Sequence, residues 1–281
     1  MHRTALFFAA AVMWAQAPIR LEKTVALAGV EGRFDHLAID TRARLLFVAA
    51  LGNNSLEILD VDAGKRLHSV SGMHEPQGVG YLPDVHKIYV ANGKDGKVRI
   101  VDATTFKAAG EVDMGGDADN VRYDAARKML WVGYSDGVLG AIDVTTNKRA
   151  GEIHMDAHPE SFQLERSGPR IFVNVPNAGE IEVADREKKI IVAKWPVKGA
   201  AANFPMALDE VNRRLFAGCR KPAKVLVFDT GTGKTVAEFA CPGDTDDLYY
   251  DVARKRLYVA GGEGFLEAFA QKSANAQGST A

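Results

Sequence analysis

A self-similar unit of roughly 42 residues recurs along most of the chain and restricts its fold more than any other feature. Residues 34–65, 76–107, 118–148, 159–189 and 203–234 form five full copies, and a sixth begins at Thr245. Each copy repeats one formula. A short, partly apolar strand ends near an acid such as Asp40, Asp124, Asp209 or Asp251. A basic turn follows, then a strongly apolar strand (LLFVAA, KIYVAN, MLWVGY, RIFVNV, RLFAGC, RLYVAG). A hairpin built on Gly or Asn leads to a third strand closing on Asp60, Asp102, Asp143, Asp185 or Asp229. A turn finishing on Lys then opens a fourth strand. β-Branched and aromatic residues dominate, and no window sustains a 3.6-residue period. The unit is therefore a four-stranded antiparallel sheet.

Units of this length and strand number are the blades of an all-β propeller, in which each sheet buries its two faces against its neighbours. A β-sandwich would not repeat one strand–turn formula six times. Glu22 to Gly29 (EKTVALAG) resembles the fourth strands of other units, such as AAGEVDMG, whereas the sequence after Gln271 (KSANAQGSTA) has a small, polar, strandless composition. The expected closure is an N-terminal fourth strand completing a three-stranded sixth blade, which would remove an exposed sheet edge. The expected organisation is residues 18–271 as the propeller and 272–281 as a polar tail.

Residues 1–17 read as an export signal. Arg3 supplies positive charge, ALFFAAAVMWA (5–15) an apolar stretch, and Ala15-Gln16-Ala17 a small-x-small cleavage site, with Pro18 an awkward residue to follow it. The stretch is too short to span a bilayer, and no later segment is long enough. The expected destination is the periplasm or the cell exterior, and the expected state is a monomer. Thirty-five Lys and Arg against 36 Asp and Glu leave no basic excess for nucleic acid. Cys219 and Cys241 are too few for a cysteine-rich metal site, but they fall toward the same face of the fifth unit and are candidates for one disulfide.

The motifs LLFVAA, KIYVANGKDGKVRIVD and RLYVAGGEG resemble the YVTN-type β-propeller repeats of exported bacterial proteins, and the resemblance runs from Leu21 to Gln271. It implies a secreted or periplasmic propeller without implying one activity. Such proteins usually close with seven blades. A seventh would fall where the polar tail stands, so the chain is either a natural six-blade version or a relative lacking its last blade.

Residues entering the first strands converge on the axis of a propeller. Aligning the units places Asp35, Gln77, Asp119, Glu160, Phe204 and Asp246 at one position, and His36, Gly78, Asn120, Ser161, Pro205 and Asp247 at the next. His74, Glu75, Asp117, His158, Asn203 and Asp244 come just before. One reading makes these carboxylates turn-forming acceptors of backbone N–H groups. The other makes them a site for a polar ligand or divalent cation over the channel, with Asp35, His36, Glu75, Asp119, Asn120, Glu160, Asn203 and Asp246 as the ligand-binding set. His154-Met-Asp-Ala-His158 matches no defensible zinc spacing. Asp229-Thr-Gly-Thr-Gly-Lys lacks the following helix of a phosphate loop and reads as blade punctuation.

No nucleophile elbow, haem-attachment pair or Rossmann fingerprint is present. The sequence therefore favours a non-enzymatic binding or scaffold protein of the cell envelope, holding a small molecule, ion or protein at its channel face. The alternative is a metal-dependent hydrolase or lactonase of the gluconolactonase type, with a divalent cation as cofactor. An electron-transfer partner ranks last.

Overall fold

The computed structural model describes residues 19–273 and 276–279. Six four-stranded antiparallel sheets follow one another along the chain, each a simple meander, and are arranged as a six-bladed β-propeller. Blades 1 to 6 span residues 37–71, 76–113, 118–154, 162–196, 201–240 and 245–279. Among the described residues there is no α-helix, only two single turns of 3-10 helix at Leu51–Asn53 and Pro176–Ala178, and no helix long and apolar enough to cross a membrane.

Turn chemistry fixes where strands stop. At the ends of first strands Asp40, Asp209 and Asp251 accept the N–H of Ala43, Asn212 and Arg254 at 2.9–3.2 Å. The basic residue that closes these turns (Arg44, His86, Lys128, Arg213, Lys255) is left-handed, with φ between 49° and 59°. Between third and fourth strands Asp60, Asp102, Asp143, Asp185 and Asp229 accept the N–H of Ala63, Thr105, Thr146, Lys188 and Thr232. The Thr-Gly-Thr-Gly-Lys stretch is one more copy of this turn, with Gly233 at φ 69°.

Packing follows from strand alternation. In each blade one set of second-strand side chains faces the preceding blade and the other the following blade. Phe47, Tyr89, Trp131, Phe172 and Phe216 occupy one equivalent position, at most 3% exposed, and fill the layer toward the next blade. Burial of each contributes about 1.5–3 kcal/mol. The fourth strands are largely exposed.

The closure differs from the expectation. The fourth strand of blade 6 is Ala276–Ser279, paired antiparallel with Phe265–Ser273. The segment 22–29 pairs with no strand of that blade. It lies along blade 1, where Lys23 Nζ donates to the Val61 carbonyl at 3.3 Å and Arg66 Nη2 to the Ala28 carbonyl at 3.1 Å. Strand pairing is a backbone interaction, so a polar tail qualifies. Reversing directly from the third strand also closes a far shorter loop than returning from the N-terminus. The expected export segment, residues 1–17, lies outside the described residues.

Candidate functional site

The links into the first strands gather at one mouth of the channel. Several turn there through left-handed residues: Glu75 at φ 53°, Asp117 at 21° and Asp244 at 49°. They surround a bowl of about 540 Å³ lined from all six blades. Six of the eight residues expected from the sequence meet there: Asp35, His36, Asp119, Asn120, Glu160 and Asp246.

The other two serve the fold. Glu75 faces outward, with its N–H on Asn54 Oδ1 and its carboxylate 3.9 Å from Lys94 Nζ. Asn203 is fully buried and donates its amide N–H groups to Asn174 Oδ1 and the Glu180 carbonyl, while its Oδ1 has no protein partner.

Asp119 is the hub. Its carboxylate lies 3.9 Å from His36 Nε2 on one side and 4.0 Å from His158 Nε2 on the other. Gly78 fixes its backbone, because a Cβ there would overlap the Asp119 carbonyl. The His158 Nδ1 contacts the Ser135 carbonyl. The Asp119 carboxylate lifts His158 to about 9, with the Ser135 carbonyl assisting against burial. Burial, then the charge of Asp119, lifts Glu160 to about 7. Burial also raises Asp35, opposed by His36 and by Arg33, whose Nη2 sits 3.1 Å away. Asn120 is 3% exposed, and its Oδ1 has no protein partner.

Arg122 is half-buried and reaches Ser161 Oγ at 3.4 Å. Burial pulls its pKa down while the charges of Asp247 and Asp119 oppose that. Arg33 and Arg220 were missed by sequence reasoning, since neither falls in a repeating register. Arg220 donates to Asp246 at 2.7 Å and lies over the Phe204 ring at 4.2 Å. A signal for it exists: the other units carry uncharged Leu51, Gly93, Ser135, Pro176 and Gly262 where the fifth has this arginine.

The bowl thus sets six carboxyl groups against two guanidinium groups and the protonated imidazole of His158, an acidic excess that favours cationic or hydroxyl-rich ligands. Its acids and imidazoles approach in pairs at 3.7–4.0 Å. Among the described residues, the three-carboxylate group with ligand atoms within 4.8 Å is Asp156, Glu180 and Glu182, and Lys194 already sits among these acids. His154, exposed beside Glu152, takes no part in the bowl. The two cysteines are free thiols here. Cys219 is buried within the fifth blade, where burial pushes its thiol up to about 12, and Cys241 Sγ instead contacts Thr245 Oγ1 at 3.1 Å.

No protein-family model matches the sequence, and no curated protein matches it either. Solved structures do. A chain of the mitotic checkpoint complex superposes with a TM-score of 0.78 at 15% identity, covering 100% of this chain and 89% of that one. A chain of Kuenenia stuttgartiensis hydrazine synthase gives 0.61 at 13% identity, covering 88% of this chain and 99% of that one. At such identity the likeness shows the β-propeller fold and nothing of activity.

Proposed function

We propose that this chain is an exported, YVTN-like β-propeller that binds a small polar ligand, cationic or rich in hydroxyls, in the bowl at the channel mouth. One observation carries the reading. Carboxylates entering from separate blades are held partly desolvated around Asp119, with Glu160 near 7. Turn formation does not require that arrangement, and it disfavours the charged forms. A ligand that donates hydrogen bonds or brings positive charge would relieve it. Export to the periplasm or cell exterior rests on the composition of residues 1–17. Cell fractionation with N-terminal sequencing tests it: a chain shortened by about residues 1–17 in the periplasmic or external fraction is expected, and a chain with intact Met1 confined to the cytosol would overturn it.

The binding test is a thermal titration of residues 18–281 with small amines, polyols and calcium, zinc or manganese, beside Asp119→Asn/Glu160→Gln. A ligand selective for the folded state raises the midpoint by mass action. A rise seen in the parent and lost in the variant supports the bowl. A rise that is equal in both places binding elsewhere.

The hydrolase reading keeps one specific support, since a carboxyl near 7 beside an imidazolium suits proton transfer. Cation-dependent lactone turnover, abolished by Glu160→Gln, would replace the binding role with catalysis.

A further inference from the structure

The faces that meet between consecutive blades carry equivalent residues throughout, except at one place. Leu37 is equivalent to Val79, Val121, Phe162, Met206 and Leu248, all of which face the preceding blade. Those five are at most 7% exposed, whereas Leu37 is 54% exposed. Leu266 is equivalent to Leu56, Val98, Leu139, Ile181 and Val225, which face the following blade. Those five are 0% exposed, and Leu266 is 56%. Tyr258 holds the position of the buried second-strand aromatics yet is only half-buried, stacked on the exposed Tyr249. The buried apolar layers join blades 1–2, 2–3, 3–4, 4–5 and 5–6. Among the described residues, the outgoing face of blade 6 and the incoming face of blade 1 keep interface chemistry without a partner.

The outer half of the blade 1 face is already covered. Arg66 reaches both Glu57, itself fully buried, and the Ala28 carbonyl, so the segment 22–29 lies over the outer strands there. Its sequence resembles a fourth strand, yet it pairs with none. Leu37 and Ile39, on the inner half, remain exposed.

We propose that the wedge between blades 6 and 1 is a docking slot for a β-meander of a partner polypeptide. The partner would supply three antiparallel strands that are apolar on both faces, and residues 22–29 would act as their fourth strand. The occupant is specified by continuity with the five existing interfaces, each of which packs one such sheet against apolar positions of this register. An unpaired segment of strand-like sequence beside two apolar walls can recruit by backbone addition, with side-chain pockets setting selectivity. Leu37 and Ala260 also line the bowl, so the docked sheet would complete the wall of the ligand site. Only this last consequence rests on the proposed binding function; failure of ligand binding leaves the slot readouts unaffected.

The probe is a second copy of residues 118–143, the three inner strands of blade 3, supplied two ways to the full chain. In one it follows Ala281 on a flexible Gly/Ser linker, which gives millimolar effective concentration. In the other it is added in trans on a soluble carrier. The proposal expects the tethered copy to raise the thermal midpoint by several degrees and to cut the fluorescence of a surface apolar dye at least twofold. It expects saturable binding in trans. Leu37→Asp with Leu266→Asp should cancel all three effects while leaving the parent fold and midpoint unchanged, because both side chains are exposed in the parent. An unchanged midpoint and dye signal with the tethered copy overturns the slot. Loss of dye signal with rising concentration of the parent alone, as a dimer forms, overturns the partner assignment in favour of a second copy of this chain.

Discussion

Two rings of carboxylates sit at opposite ends of the same blades, and their environments differ in sign. At the far end, Asp102 and Asp185 accept turn N–H groups, chiefly from Thr105 and Lys188, which hold both below the ordinary carboxylate range. At the channel mouth burial holds Asp35 and Glu160 above it. The residue types are the same and the repeat delivers both rings. The far ring stabilises the charged form and thereby the turn, whereas the near ring disfavours charge and leaves a field for something else to satisfy. A carboxylate's identity does not separate these two sets, but the opposite shifts of Asp102 and Asp185 on one side and Asp35 and Glu160 on the other do.

Breaking the far ring should cost most. Asp124 is 7% exposed and lies 3.0 Å from the Nε of Arg186, itself 5% exposed. Asp124→Ala would strand a buried guanidinium, and the expected loss is about 3–5 kcal/mol by urea denaturation. Bowl-ligand affinity per folded molecule should be unchanged. Gly78→Ala is the corresponding break in the near ring. Its Cβ collides with the Asp119 carbonyl, so overpacking should cost about 1–3 kcal/mol and weaken ligand binding. Asp185→Ala removes turn acceptors without a cavity. It should cost about 1 kcal/mol and spare the bowl, and a ligand defect there would dissolve the distinction between the rings.

The two rings also predict opposite responses to pH. Far-ring acids with lowered values add stability above 3.8 that is lost as pH falls through their folded values. Glu160 runs the other way. Between 4.5 and about 7 the folded chain holds more protons than the unfolded one, so stability falls as pH rises through that window. His158 extends the fall: its contribution is complete below 6.5 and is lost as pH rises through about 9. Thermal midpoints at constant ionic strength should therefore decline from pH 5 to pH 9, and a midpoint rising over that range would contradict the near-ring assignment.

The blades were legible because each is specified locally: acid, basic turn, apolar strand, Gly or Asn hairpin, acid. The ring register at the channel mouth was legible for the same reason, and Asp119 and Glu160 do line the bowl. It also over-read Asn203, whose amide is taken by Asn174 and Glu180 on neighbouring strands, contacts that no alignment of repeats displays. Arg33 and Arg220 escaped because a repeat reveals what recurs, and these side chains are departures from it. The closing strand at Ala276–Ser279 escaped for a different reason. Its pairing uses backbone groups that every residue carries, so a polar composition gave no sign of it.

The smallest expected effect on stability is also the most discriminating. Glu160→Gln preserves shape and hydrogen-bonding reach while removing a carboxyl whose ionised form is disfavoured by burial and by Asp119. If this side chain existed to support the fold, the change would be destabilising, as removing a satisfied buried acceptor is. A group held for a ligand instead carries an electrostatic cost in the free protein. The neutral isostere should then leave stability within about 0.5 kcal/mol of the parent, or above it. It should also flatten the decline in midpoint between pH 4.5 and 7, because no proton uptake at this position distinguishes folded from unfolded chains. Binding of a cationic ligand should weaken in the same variant. Stability retained and affinity lost would assign Glu160 to the site, whereas a loss like that of Asp124→Ala would return it to the fold.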